Sequence, residues 1–159
     1  MKKILLLPFV IAFGFYLSSC APSNSKIKNG IKLDEKGLHV EEAYLTNNEQ
    51  STIGNDNKVK VGERVCLRLV IDGWKEKDGK VFFDAAQKTS NSTGVVLAVN
   101  PSMFGALYAG GAAPESAKYI LLYQTIGKLD KPNDYIVITF KIWDKTTDKS
   151  VSGSYKLYI

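Results

Sequence analysis

The sequence predicts an all-β protein, an antiparallel β-sandwich of about seven short strands in a single domain. Apolar residues recur at every second position in several short segments, which is the period of a half-buried strand. Turn signals separate these segments, and we find no convincing amphipathic helix. The chain has 159 residues, of which 45% are hydrophobic. That is enough for one ordinary domain and too little for two comfortable ones.

The first twenty residues differ in kind from the rest of the chain. A basic start, Met1–Lys3, precedes the uncharged and mostly apolar run Ile4–Tyr16. This run is shorter than the roughly 20 residues that a membrane-spanning helix needs, and its arrangement is typical of a secretory signal peptide. The next segment, Leu17–Cys20, reads LSSC. It resembles the lipobox of bacterial lipoproteins, in which a Leu and two small residues precede a cysteine.

This resemblance implies a lipid anchor on Cys20. In bacterial lipoproteins the cysteine is acylated, and cleavage then makes it the mature N-terminus, so residues 1–19 are predicted to be removed. Residues 20–32 are predicted to be the lipidated cysteine and a flexible tether, because the stretch after Cys20 is small and polar. Residues 33–159 are predicted to form the sandwich. Ala21 follows the cysteine where an Asp favours retention in the inner membrane, which by analogy predicts the outer membrane. Some surface-exported lipoproteins carry acidic residues just after the cysteine, and this chain has none there, which predicts the periplasmic face.

Four strand segments are predicted in the first half of the domain. The clearest ends at Ile71 and carries Val65, Leu67 and Leu69 on the same face. A turn signal, Asp72-Gly73, follows it directly. The predicted strands of this half span Leu38–Thr46, Val59–Ile71, Val81–Phe83 and Gly94–Val99.

Three further strands are predicted in the second half. In the segment that begins at Asp134, Ile136, Ile138 and Phe140 alternate with more polar residues. The predicted strands span Tyr119–Ile126, Asp134–Trp143 and Ser150–Ile159. This pattern of short strands resembles an immunoglobulin-like or transthyretin-like sandwich. The Cys…Trp…Cys pattern of antibody-like domains is absent, so no disulfide is expected to link the two sheets.

Two places in the sequence carry candidate binding residues. The segment 100–118 is long for a hairpin loop, and its Phe104 and Tyr108 could stack on a sugar ring or dock into a partner. The alternative is that these residues fold back as a lid over the end of the sandwich. Trp74 lies between two turn signals and is the third candidate, with the alternative that it covers the core from an edge strand.

Reactive side chains are scarce, which argues against catalysis. His39 is the single histidine, and Cys66 lies in an apolar strand where burial is the simpler interpretation. The sequence holds no nucleophile elbow, zinc motif or phosphate-binding glycine loop. Carboxylates cluster near Asp78 and Asp144, but turns favour Asp for backbone reasons, and no calcium loop is present. We therefore predict no enzyme, no metal and no cofactor.

The net charge of +5 does not indicate nucleic acid as a partner. The chain has 21 basic residues, of which only Arg64 and Arg68 are arginines, and no basic block is interleaved with aromatic residues. Two function classes remain. The first is a cell-envelope lipoprotein that acts as a lipid-anchored protein-interaction or structural module, with the membrane and an envelope protein as partners. The alternative is a lipoprotein that binds a glycan or small molecule through the 100–118 loop.

Overall fold

The structure is a computed structural model that describes residues 26–128 and 134–159. Along these residues it contains ten strands and one short helix. In chain order the elements are β1 (Lys32–Lys36), β2 (His39–Thr46), β3 (Arg64–Asp72), β4 (Glu76–Lys77), β5 (Lys80–Val81), β6 (Phe83–Asn91), β7 (Val96–Asn100), α1 (Pro114–Lys118), β8 (Tyr119–Thr125), β9 (Tyr135–Asp144) and β10 (Ser150–Tyr158).

The strands form an antiparallel β-sandwich, as predicted. One sheet has five strands in the order β1-β10-β9-β6-β7, and the other has three in the order β2-β3-β8. The short strands β4 and β5 form a hairpin of their own. All named pairings are antiparallel. The all-β class is therefore confirmed, and the described residues hold more strands than the predicted seven.

The core lies between the two larger sheets and is built by the predicted alternation. On β3, Val65 and Leu67 are fully buried, and on β9 Ile138 and Ile142 are fully buried as well. Both sets belong to one hydrophobic cluster. Because side chains alternate across a strand, a single apolar face on each strand is sufficient to fill the space between the sheets.

The observed strands β1 and β6 differ most from the prediction, and β3 begins at Arg64 instead of the predicted Val59. β1 has the charged sequence KLDEK and pairs only with β10, where its charges protect a sheet edge. The predicted strand Val81–Phe83 is divided between β5, which ends at Val81, and β6, which begins at Phe83, continues to Asn91 and lies between β9 and β7. The inward positions of β6 include Gln87 and Thr89. A central strand that buries polar side chains lacks the apolar alternation by which the other strands were predicted.

The predicted tether is too long at its C-terminal end. Ile27 forms a bridge with Ala43 of β2, and the Lys28 N–H donates to the Ala43 carbonyl at 2.8 Å. Ile31 belongs to the core, and β1 begins at Lys32. The sandwich therefore includes residues of the predicted tether, because these residues hydrogen-bond to β2 and bury apolar surface.

The predicted signal peptide, residues 1–19, and the lipidation site Cys20 lie outside the described residues. Within the described ranges, no helix has the length and apolar character needed to cross a membrane. The helix α1 has five residues and forms the end of the 100–118 segment, directly before β8.

Candidate binding site

The three predicted binding aromatics pack around one buried ring, Phe83 of β6. Its ring centroid lies 5.4 Å from that of Trp74, 5.4 Å from that of Phe104 and 5.2 Å from that of Tyr108. All three side chains are half-buried and pack against the core. For Phe104 and Tyr108 the arrangement corresponds to the lid alternative, because their contact with Phe83 occupies ring surface that a sugar would need. Trp74 covers the core, as its own alternative had it, but from the loop between β3 and β4.

A buried carboxylate holds the start of the lid, by which we mean the part of the 100–118 segment that carries Phe104 and Tyr108. Asp84 accepts hydrogen bonds from the Ser102 hydroxyl at 2.6 Å and from the Phe104 N–H at 2.9 Å. It also accepts from the Ala85 N–H at 2.7 Å. Burial acts to raise the pKa of Asp84, but these hydrogen bonds and the nearby Lys145 outweigh it and hold the pKa below its usual range. The carboxylate therefore stays ionised and keeps residues 102–104 against β6.

Beside the lid, the five-stranded sheet extends beyond the edge of the three-stranded sheet. β7 is an edge of the five-stranded sheet, and β8 is an edge of the three-stranded sheet. All five residues of β7 are exposed, and Val96 and Val99 are 51% and 62% exposed. The three-stranded sheet therefore does not cover β7, and an open channel runs between the two edges.

We call this channel the side groove. Three adjoining cavities of about 350, 190 and 210 Å³ follow one another along it. The largest lies beside the lid and the smallest is in the middle. The residues that line the side groove include Leu97, Ala98 and Asn100 of β7, Tyr119, Tyr123, Gln124 and Thr125 of β8, Gln87 and Thr89 of β6, Met103 and Leu107 of the lid, and Lys128.

The floor of the side groove is polar. Gln87 Nε2 and Thr89 Oγ1 both donate to Gln124 Oε1 at 2.9 Å. Gln124 Nε2 in turn donates to the Thr125 carbonyl at 2.8 Å. Gln87 is only 6% exposed, and its Oε1 is buried without a hydrogen-bond partner among the described residues. An unpaired buried acceptor costs about 1–3 kcal/mol, so an N–H or O–H donor that reached this oxygen after a small movement of the Gln87 side chain would be favoured.

The outer side of the three-stranded sheet continues from the side groove and carries both arginines of the chain. Cross-strand pairing places Tyr44 beside Arg68, and the Arg64 guanidinium carbon lies 4.1 Å from the ring centroid of Tyr123. Tyr119 and Tyr123 are exposed on β8. We call these five residues the Tyr–Arg face.

Neither arginine of the Tyr–Arg face has a carboxylate partner among the described residues. Arg68 donates from Nε to Thr46 Oγ1 and from Nη2 to Gln50 Oε1, each at 3.3 Å. Both partners are neutral, so they do not offset the positive charge of Arg68. A carboxylate from another molecule would complete them with charge-assisted hydrogen bonds.

The reactive residues considered in the sequence do not assemble into one site. Cys66 is buried as expected, and burial raises the pKa of its thiol. His39 Nδ1 lies 3.0 Å from Glu35 Oε2 at the surface. Asp144 accepts hydrogen bonds from Lys75 and Thr146 in a turn. Within residues 26–128 and 134–159, no group of three His, Cys, Asp or Glu side chains could hold a metal ion.

The side groove was not predicted from the sequence, although the strand at its edge was. The uncharged segment Gly94–Val99 was predicted as a strand, and its continuous apolar run suggests burial on both faces. The structure places it at an open edge instead. The polar floor formed by Gln87 and Gln124 has no local signature, because it arises from strands that are far apart in the chain.

Known proteins add no identification to this geometry. No protein-family model matches the chain, and no curated protein matches it in sequence.

Proposed function

We propose that this chain is a lipid-anchored protein-interaction module of the cell envelope. The observation that carries the proposal is the side groove together with the adjoining Tyr–Arg face. The two form one open surface that combines the free edges of β7 and β8, exposed tyrosines and two arginines that have no carboxylate partner among the described residues. Such surfaces suit another protein, because interface cores are enriched in Tyr and Arg, and strand edges supply main-chain hydrogen bonds.

The anchor half of the proposal rests on residues 1–20. Their order of basic start, apolar run, LSSC and cysteine resembles a lipoprotein signal. A single acyl chain binds membranes only marginally, whereas several chains on one cysteine anchor stably. We place the module at the outer membrane on its periplasmic face, since Ala21 follows the cysteine and no acidic residue follows within the next few positions.

The anchor is tested by replacing Cys20. Cys20→Ser should abolish labelling by a radioactive or clickable fatty acid and should move the protein from the membrane fraction to the soluble fraction. Cys66→Ser is the matched control, since that thiol is buried in β3 and should not be acylated. Persistent acylation or membrane association of Cys20→Ser would contradict the anchor.

The interaction surface is tested by reversing its charge. Formaldehyde crosslinking of intact membranes should join the full chain to a defined protein, and the yield should fall about tenfold in Arg64→Glu/Arg68→Glu, the loss expected when each of the two charged pairs contributes about 0.7 kcal/mol. Lys75→Glu/Lys77→Glu makes the same charge change at exposed positions outside the face and should leave the yield unchanged. Equal loss in both double variants, or in neither, would contradict the proposal.

A further inference from the structure

We propose that the side groove receives an extended segment of the partner protein, which adds to β8 as a fourth strand of the three-stranded sheet. The segment alternates apolar residues, which face the groove, with acidic residues, which face outward beside Arg64. This inference rests on the proposed function and specifies how the partner binds.

The first support is the free edge of β8. The Ile126 N–H donates to the Glu63 carbonyl at 2.9 Å, which continues the β3–β8 register by one pair. In an antiparallel ladder the bonded positions alternate, so Tyr119, Leu121 and Tyr123 direct their N–H and C=O groups away from β3. β8 has no second strand neighbour among the described residues. Its outward backbone groups can therefore pair with an added strand.

The second support is the space that such a strand would occupy. β7 extends the five-stranded sheet beyond β8, so a fourth strand next to β8 would lie over the inner face of β7. Ala98 marks that face, because it pairs with the inward-facing Thr89. Strands lie about 4.8 Å apart within a sheet and sheets about 10 Å apart, which is the spacing of a complete sandwich. The three cavities of the side groove lie in this position.

The third support is the chemistry on each side of that position. The inward side chains of the added strand would meet Met103 and Leu97 at the two outer cavities and Gln87 in the middle. We therefore expect apolar residues at the ends and a residue with an N–H or O–H donor, such as Asn, at the centre. After a small movement of the Gln87 side chain, that donor would pair with Gln87 Oε1 and remove the cost of an unpaired buried acceptor.

The charges around the side groove indicate which outward-facing side chains the added strand would carry. Among the described residues, no carboxylate lines the three cavities, whereas Lys128 lies at one end. Arg64 lies over Tyr123 and has no ion-pair partner in the described ranges. An acidic segment would complement these cations. A second copy of this chain offers its uncharged strand β7, which would leave Arg64 without a carboxylate, so we commit to a partner segment.

The test uses a fluorescein-labelled decapeptide in which Val and Glu alternate, with Asn replacing the central Val. The full chain, purified in detergent, should raise its fluorescence anisotropy with saturation. A peptide with Lys in place of Glu should bind about tenfold more weakly or not at all, which corresponds to about 1.4 kcal/mol. A peptide with Pro in place of the Val residues should not bind, because it cannot pair along a strand.

Two variants of the chain locate the binding. Ala98→Lys places a long charged side chain over the inner face of β7 and should abolish peptide binding. Val96→Lys makes a similar change on the same strand, but Val96 pairs with Ser90 on the outer face and lines none of the three cavities. This control should bind like the unchanged chain. Both positions are exposed, so both variants are expected to fold.

Four outcomes would overturn the inference: no binding of the Val–Glu peptide, equal binding of the Val–Lys peptide, binding that survives Ala98→Lys, or a peptide-free dimer that Ala98→Lys abolishes. The last would assign the side groove to a second copy. If the inference fails while membrane crosslinking still depends on Arg64 and Arg68, the interaction module stands and the strand addition is wrong. If crosslinking does not depend on the two arginines, the proposed function itself fails.

Discussion

Replacing Asn29 by alanine should lower the free energy of unfolding by about 4 kcal/mol, because it breaks a fully buried hydrogen-bond network. Asn29 is 3% exposed. Its Nδ2 lies 3.1 Å from the carbonyl oxygens of Ile53 and Gly54 and 2.9 Å from Asn57 Oδ1. Its Oδ1 accepts from the Leu45 N–H at 2.9 Å. Without this side chain, the Leu45 N–H would remain buried and unpaired.

The backbone adds to this cost. Asn29 has a φ of 58°, in the left-handed region that alanine adopts at a cost of about 1–2 kcal/mol. Asn57 has a φ of 53° and donates from Nδ2 to the Asn29 carbonyl at 2.8 Å and to the Lys156 carbonyl at 2.9 Å. The two asparagines therefore connect the segment before β1 to the loop after β2 and to β10. Loss of either one loosens three parts of the sandwich together.

Urea unfolding followed by circular dichroism measures the effect. Asn29→Gly removes the side chain without the backbone penalty, so it should lose about 1 kcal/mol less than Asn29→Ala. Asn55→Ala is the control, since Asn55 is exposed in the same loop and should change stability by less than about 0.5 kcal/mol. A loss below about 1 kcal/mol for Asn29→Ala would mean that residues 26–31 are not held in the cooperative unit.

The strands that could be predicted are those in which one face is apolar and the other is not. β3, β9 and β10 follow this rule, because each packs its alternate residues against the opposite sheet. Local periodicity is then enough to identify the strand and its buried face. The same reasoning explains the lid: large aromatic residues in a long loop next to a core most readily find that core.

The rest could not be predicted, because it depends on contacts between distant residues. The inward side of β6 is polar, since Gln87 and Thr89 meet Gln124 from another strand. β7 reads as a buried strand, but the number of strands in each sheet leaves it at an uncovered edge. Asn29 and Asn57 read as loop residues until the fold brings them together. The side groove combines all of these features, so no single segment indicates it.

Strand β10 has a further feature that could not be predicted from the sequence. At Gly153 its backbone lies very close to both neighbouring strands. Gly153 pairs with Leu33 of β1 on one side and with Phe140 of β9 on the other. A Cβ at Gly153 would collide with the Lys32 carbonyl oxygen and would lie 2.6 Å from Cζ of Phe140. The ring could move, but the carbonyl belongs to the β1 backbone. Alanine can therefore be accommodated only if β1 shifts away from β10.

We expect Gly153→Ala to lower the free energy of unfolding by about 3 kcal/mol, the upper part of the range for overpacked cores. Gly127→Ala is the matched control, because no atom lies within 4 Å of a Cβ at Gly127. It should leave stability unchanged or raise it slightly by restricting the unfolded chain. Adding Phe140→Leu to Gly153→Ala should recover only part of the loss, since the Lys32 carbonyl still blocks the methyl group. A loss below about 1 kcal/mol for Gly153→Ala, or full recovery in the double variant, would show that β1 moves at little cost.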